Sequence, residues 1–213
     1  MSVTELPRLD EPDPAATGPG GPDHPMRKVT QQVAFEPDGW TEERRAKVVE
    51  LFDSLAPEWH TRASGDRARA LRDALARGGA PQDGVCLELG AGIGMATPWL
   101  VEHFDAVQVH DLSVEMLTRA DAALAPRVLA DASVLPHPDG SIATLVCQNM
   151  LLFPGEFDRV LRPDGALVWV NTSGDQTPIH LTADEVDRAL PGEWDVVASA
   201  AGWGTWAVAR RAR

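Results

Sequence analysis

Val85-Cys86-Leu87-Glu88-Leu89-Gly90-Ala91-Gly92-Ile93-Gly94 is the stretch that decides the fold. An apolar run ending in an acid passes into three closely spaced glycines and then into a helical pattern. Unbroken apolarity over four to eight residues is expected of a parallel strand covered on both faces. The glycines let the backbone turn tightly and approach a ligand, and the N–H groups opening the next helix favour a negative group. Glycine-rich turns of this kind serve several nucleotide-like ligands, and a purely structural turn is the plain alternative. The dinucleotide pattern Gly-x-Gly-x-x-Gly would need a glycine where Met95 stands, and that side chain would hinder close packing against a pyrophosphate.

Outward from this turn, short apolar runs alternate with helical segments. Val85 to Leu89, Ala106 to His110, Arg127 to Ala130, Thr144 to Cys147 and Ala166 to Val170 read as strands. Met95 to Phe104, Ser113 to Leu124 with Ser113 as N-cap, and Gly155 to Leu161 read as helices, and a further helix opens at Thr182, three residues before Glu185, at capping-box spacing. Trp194 to Ala200 and Thr205 to Arg210 form a hairpin, so the last strand runs antiparallel. The predicted fold class is α/β: a Rossmann-like, doubly wound, mostly parallel seven-stranded sheet with helices on both faces. Upstream, Thr41 caps a helix carrying Val48, Leu51, Phe52 and Leu55, and a second helix with Ala68, Leu71 and Leu75 ends at Gly78-Gly79. Residues 39–80 are thus lid helices, residues 84–213 the core, and 39–213 one domain. Residues 1–38 are rich in proline and glycine and poor in apolar side chains, which predicts a disordered tail.

Composition limits the partners. A formal charge of −13 over 213 residues argues against a surface built to hold nucleic acid or an anionic membrane. No segment approaches the roughly 20 apolar residues of a membrane span, and the absence of a secretion signal predicts a cytoplasmic protein. Cys86 and Cys147 sit in strands and read as buried, reduced thiols. No histidine has metal-ligand spacing with acidic or cysteine partners, so no metal is predicted. Oligomeric state is not legible.

Val107-Gln108-Val109-His110-Asp111 ends in an acid where such folds bind a ribose diol, whereas the structural alternative makes Asp111 a helix cap. Together with Glu88 to Gly94, Asp111 to Leu117, Ala130 to Ser141 and Val160 to Gly165 occur in an order that resembles class I S-adenosylmethionine-dependent methyltransferases, particularly those of ubiquinone and menaquinone biosynthesis. The resemblance implies that Gly90 and Gly92 admit the methionine part of the cofactor and that Glu88 orders its ammonium end. It further implies that Asp111 holds the ribose, Leu112 packs on adenine, and Asp131 and the Ala132 N–H meet the adenine edge. Gln148 completes the floor near the sulfonium, and Trp59 closes the lid unless it only anchors its helix. Ala143 departs from the family, which commonly carries Asp there.

The resemblance implies transfer from S-adenosylmethionine, giving S-adenosylhomocysteine, by in-line displacement in which alignment supplies most of the catalysis. A general base is optional, and His60 and His180 are the candidates, with solvated loop histidines as the plain alternative. The acceptor is expected to be a small, partly apolar molecule, with Trp59, Met150, Leu152, Phe153, Trp203 and Trp206 available as walls, although Trp206 reads better as core. A cofactor-binding protein without catalysis remains open. A nicotinamide-dependent oxidoreductase is disfavoured by Met95 and by the lack of any tyrosine.

Overall fold

The computed structural model describes residues 3–12, 21, 23–62 and 65–212. The strands are β1 (Thr4–Glu5), β2 (Val85–Leu89), β3 (Ala106–Asp111), β4 (Arg127–Leu129), β5 (Ile142–Gln148), β6 (Leu161–Asn171), β7 (Trp194–Ala201) and β8 (Gly204–Arg211). They form one sheet in the order β1-β7-β8-β6-β5-β2-β3-β4. All pairs are parallel except those of β8, which runs antiparallel to both β6 and β7. The helices are α1 (Met26–Phe35), α2 (Glu42–Leu55), α3 (Arg69–Arg77), α4 (Thr97–Val101), α5 (Val114–Leu117), α6 (Pro154–Val160) and α7 (Ala183–Ala189).

Two cores follow from this layering. One face of the sheet packs Leu71, Leu75, Leu100 and Phe104 against Val146, Val168 and Trp206. The other packs Val33, Phe157 and Val186 against Leu87, Leu145 and Trp169. Helices therefore cover both faces, as the continuous apolar strands require. The expected caps form: Thr41 accepts from the Arg44 N–H, and Thr182 and Glu185 complete a capping box. Helix α5 is shorter than its pattern suggested, because the Arg127 guanidinium takes the Leu117 and Ala120 carbonyls and ends it. Helix α4 is likewise confined to Thr97–Val101, within the expected Met95 to Phe104.

The expectation of a disordered tail over residues 1–38 is overturned where that segment is described, while 13–20 and 22 lie outside the described residues. Thr4 and Glu5 add an eighth strand beside β7, correcting the count of seven. The Leu6 and Leu9 N–H groups donate to the Ala198 and Ala200 carbonyls, and Arg77 donates to the Pro7 carbonyl. Met26–Phe35 is a helix that buries Thr30, Val33 and Ala34. Composition failed here because the arm fills a groove built by residues nearly two hundred positions away.

Candidate active site

Strand order reverses at β2, which pairs with β3 on one side and β5 on the other. At such a switch point the connections leave in opposite directions, so the carboxyl ends of the strands open a crevice. The crevice here has a volume of about 350 Å³, and α1, α2 and the 3-10 segment Ala56–Arg62 border it. All nine residues expected to touch cofactor (Trp59, Glu88, Gly90, Gly92, Asp111, Leu112, Asp131, Ala132 and Gln148) line it.

The glycine turn is required by geometry. Gly90 and Gly92 adopt φ of 63° and 60°, a region costly for side chains with a Cβ. The Met150 thioether packs directly over Gly90, and a Cβ on Gly92 would lie 3.4 Å from the Trp59 indole nitrogen. Trp59 is held edge-on to Phe52, with centroids 5.6 Å apart. The Ser113 hydroxyl, which caps α5, also donates to Asp53 of α2 and so fastens the lid to the core.

Asp111 is oriented from both sides. Its Oδ2 accepts the Gly92 N–H at 2.7 Å and its Oδ1 accepts the Ser113 N–H at 2.8 Å. A carboxylate has about four acceptor sites, so this clamp leaves room for a diol. Burial pushes the Asp111 pKa up, while the backbone N–H groups oppose the shift. The capping alternative is resolved in favour of Ser113, whose own hydroxyl accepts from Met116. Asp131 is clamped similarly, by the Ser133 N–H at 2.9 Å and the Trp40 indole N–H at 3.1 Å.

Glu88 is buried at the end of β2, where burial pushes its pKa up to about 7 against an opposing hydrogen bond from Thr97 at 2.6 Å. Gln148 carries a buried Oε1 with no protein partner. Asn149 follows with φ of 53°, and its amide exchanges hydrogen bonds with the Thr172 N–H and hydroxyl, tying the ends of β5 and β6 together. Clamped carboxylates, bare glycines and an unpaired amide oxygen fit a ligand with a diol, a ring edge and a cationic centre.

Other expectations are redistributed. His60, His180, Leu152, Trp203 and Trp206 are not among the residues lining the crevice. Leu152 is fully buried core, and Trp206 is buried with its indole N–H on Asp73 at 2.7 Å. His180 is buried, and Arg27 lies 3.3 Å from its Nδ1. Ala143 stands at the far end of β5 from Gln148, against Gly84 and the backbone beside Gly165, so its departure from the family pattern leaves the crevice intact. No metal-binding group of three or more His, Cys, Asp or Glu occurs among the described residues. No helix among them is long and apolar enough to cross a membrane.

Sequence reasoning missed Trp40, which also packs on Phe153 at 5.4 Å, and His110, whose Nε2 lies 3.0 Å from that of His137. Trp40 precedes the first periodic helix and bears no pattern of its own. His110 was hidden by its neighbour Asp111.

Residues 87–169, which hold most of this crevice, match the family described as a methyltransferase domain. A crystal structure of an S-adenosylmethionine-dependent methyltransferase from Aquifex aeolicus superposes with a TM-score of 0.60 at 18% identity, covering 72% of this chain and 96% of that one. A structure titled as a putative methyltransferase of the same class from Methanococcus maripaludis gives 0.56 at 14% identity, over 78% and 93%. These similarities show the fold. The malonyl-[acyl-carrier protein] O-methyltransferase of Halorhodospira halophila is 35% identical over 47% of this chain, which spans 44% of that relative's length. Residues 87–169, which carry the four motifs in order on this fold, are thus similar to methyltransferase domains.

Proposed function

We propose that this chain binds S-adenosylmethionine in the crevice and transfers its methyl group to a small, partly apolar acceptor. The observation that carries the proposal is a single crevice lined by two kinds of group: the clamped carboxylates of Asp111 and Asp131, and the apolar side chains of Val48, Phe52, Met150, Phe153 and Ile179. When bound, the cofactor supplies an electrophilic methyl on a sulfonium, so the protein need only hold and align its partner. Asp111 holds the ribose hydroxyls, and Asp131 with Trp40 positions the adenine edge. Glu88 and the Gly90–Gly92 turn receive the amino-acid end. Gln148 offers its unpaired oxygen to the reacting centre, while Trp59 and Met150 exclude water. Burial of the acceptor against the apolar wall supplies its binding. The net charge of −13 disfavours polyanionic acceptors.

A second reading, transfer to a carboxylate oxygen, is favoured by Arg67, the one Lys or Arg among the described residues lining the crevice. It also draws on the relative that acts on malonyl-[acyl-carrier protein].

Calorimetry with S-adenosylhomocysteine, followed by transfer from labelled cofactor, tests both readings. The panel holds small alcohols, amines, thiols, monocarboxylates, malonyl thioesters, bulk protein and RNA. Micromolar binding with labelling of a small molecule is expected. Labelling confined to malonyl thioesters or carboxylates selects the second reading. Binding without turnover of any acceptor identifies a cofactor-binding protein, and binding of NAD in place of S-adenosylhomocysteine overturns the proposal.

A further inference from the structure

Beneath the amino-terminal arm lies a second cavity of about 330 Å³ that shares no described lining residue with the crevice. Strand register builds it. Trp169 of β6, Ala207 of β8, Ala198 of β7 and Glu5 of β1 form one row across the sheet. Asn171, Thr205 and Ala200 form the next row on the same face. Three alanines stand where larger core side chains would close the space, and His180 approaches from the segment leading to α7.

The polar groups of this cavity are incompletely paired. Trp169 is 1% exposed and its indole N–H has no partner; Asn171 is 2% exposed and its Oδ1 has none. The orientation of the Asn171 amide is fixed, because its Nδ2 donates to the Leu181 carbonyl at 2.8 Å, an atom that only accepts. The same nitrogen donates to the Thr205 hydroxyl at 3.2 Å, which leaves that hydroxyl's proton to give. Arg27 can only donate to His180 Nδ1, so the neutral ring carries its proton on Nε2. Burial and Arg27 both lower the His180 pKa and keep the ring neutral.

We infer that this cavity is a second small-molecule site, which takes a compact neutral molecule bearing a hydrogen-bond acceptor and donor side by side, of the amide or lactam kind. A carbonyl oxygen answers the Trp169 and Thr205 donors, and an adjacent N–H answers Asn171 Oδ1. A carboxylate would leave the Asn171 oxygen facing negative charge, and the rim does not compensate, since the exposed Arg8, held on the Gly202 carbonyl, is offset by Glu5. An amine would leave the indole N–H unanswered. A purely apolar molecule would leave both polar atoms stranded in a dry site, which is the costly outcome for buried groups. A flat ring carrying the amide would rest on the alanine floor.

The test uses the full ¹⁵N-labelled chain and follows the Trp169 indole N–H by NMR. The resonance is assigned from Trp169→Phe or, if that variant does not fold, from its contacts with the Ala207 methyl. Nicotinamide and uracil at millimolar concentration are the probes, with benzoate and toluene as controls. Expected is a saturable downfield shift with the two amides alone, unchanged by saturating S-adenosylhomocysteine. Ala200→Leu is expected to weaken it at least tenfold while leaving S-adenosylhomocysteine affinity within twofold. No shift in the wild type means that ordered water alone satisfies these groups and overturns the proposal. Equal shifts with the controls, displacement by S-adenosylhomocysteine, or retained binding in folded Ala200→Leu overturn it as well. Should Ala200→Leu fail to fold, the wild-type titration decides.

Discussion

The crevice and the cavity under the arm are nearly the same size, yet their polar groups stand in opposite states. In the crevice Asp111 and Asp131 each accept from the backbone N–H two residues further on, so the chain holds its carboxylates ready before any ligand arrives. Under the arm, Trp169 and Asn171 are fixed by the sheet and keep atoms with no partner. Preorganisation comes cheaply when a turn supplies it locally. Groups brought together by strand register inherit whatever the neighbouring rows leave them.

The sharpest way to break this contrast is Asp111→Ala. Loss of a charged acceptor is expected to weaken S-adenosylhomocysteine binding by about 1.5–3 kcal/mol, roughly ten- to a hundredfold, with far-UV circular dichroism unchanged. Normal affinity in calorimetry would reduce Asp111 to a clasp for Gly92 and Ser113. Asp73→Ala probes the other half of the sheet, since it strands the buried Trp206 indole N–H and releases Arg77. A loss of about 1–3 kcal/mol in urea unfolding is expected, with cofactor affinity unchanged. Coupled loss of binding would show that the two halves do not behave independently. Trp40→Phe keeps the ring packed near Phe153 but removes its hydrogen bond to Asp131. About 0.5–1.5 kcal/mol of cofactor affinity should go with it, measured by the same calorimetry.

The smallest expected effect is a pH slope. Glu88 is raised from 4.5 to about 7, so the unliganded fold holds this proton more tightly than the unfolded chain does. Its contribution to stability is therefore greatest below pH 4.5 and is lost as pH rises through about 7. A cationic ligand group beside Glu88 favours the ionised form, so binding should release a proton and tighten severalfold between about pH 6 and 8. Calorimetry in buffers of different ionisation enthalpy checks the proton count, and Glu88→Gln should flatten the slope. His110 acts in the opposite sense, because burial and His137 depress it to about 4. Its contribution is present above the ordinary 6.5 and is lost as pH falls through about 4.

Strands β2 to β6 and the cradle residues were legible because their signals are local: apolar runs, glycines in a turn, an acid at a strand end. The hairpin of β7 and β8 was legible for the same reason, since four residues join two runs. Trp40 carries no periodicity, and its value rests on Asp131, ninety-one residues later. The arm was misread because proline-rich, polar sequence shows how little a segment buries by itself. It does not show that Ser199 will donate to the Leu6 and Pro7 carbonyls or that Arg77 will reach Pro7. The second cavity was invisible for a related reason, because alanines spaced along two strands signify nothing until register sets them side by side.

The arm also fixes an order of events during synthesis. Leu6 meets Ser199 across 193 residues, so β1, made before the other strands of the sheet, cannot take its place until β7 has been made. Until then the β7 edge stands open, with backbone groups ready to pair with another chain. Closure over so long a separation is slow, which exposes a nascent chain to aggregation. A chain lacking its first dozen residues would retain that hazard permanently, as a finished sheet with an unguarded edge.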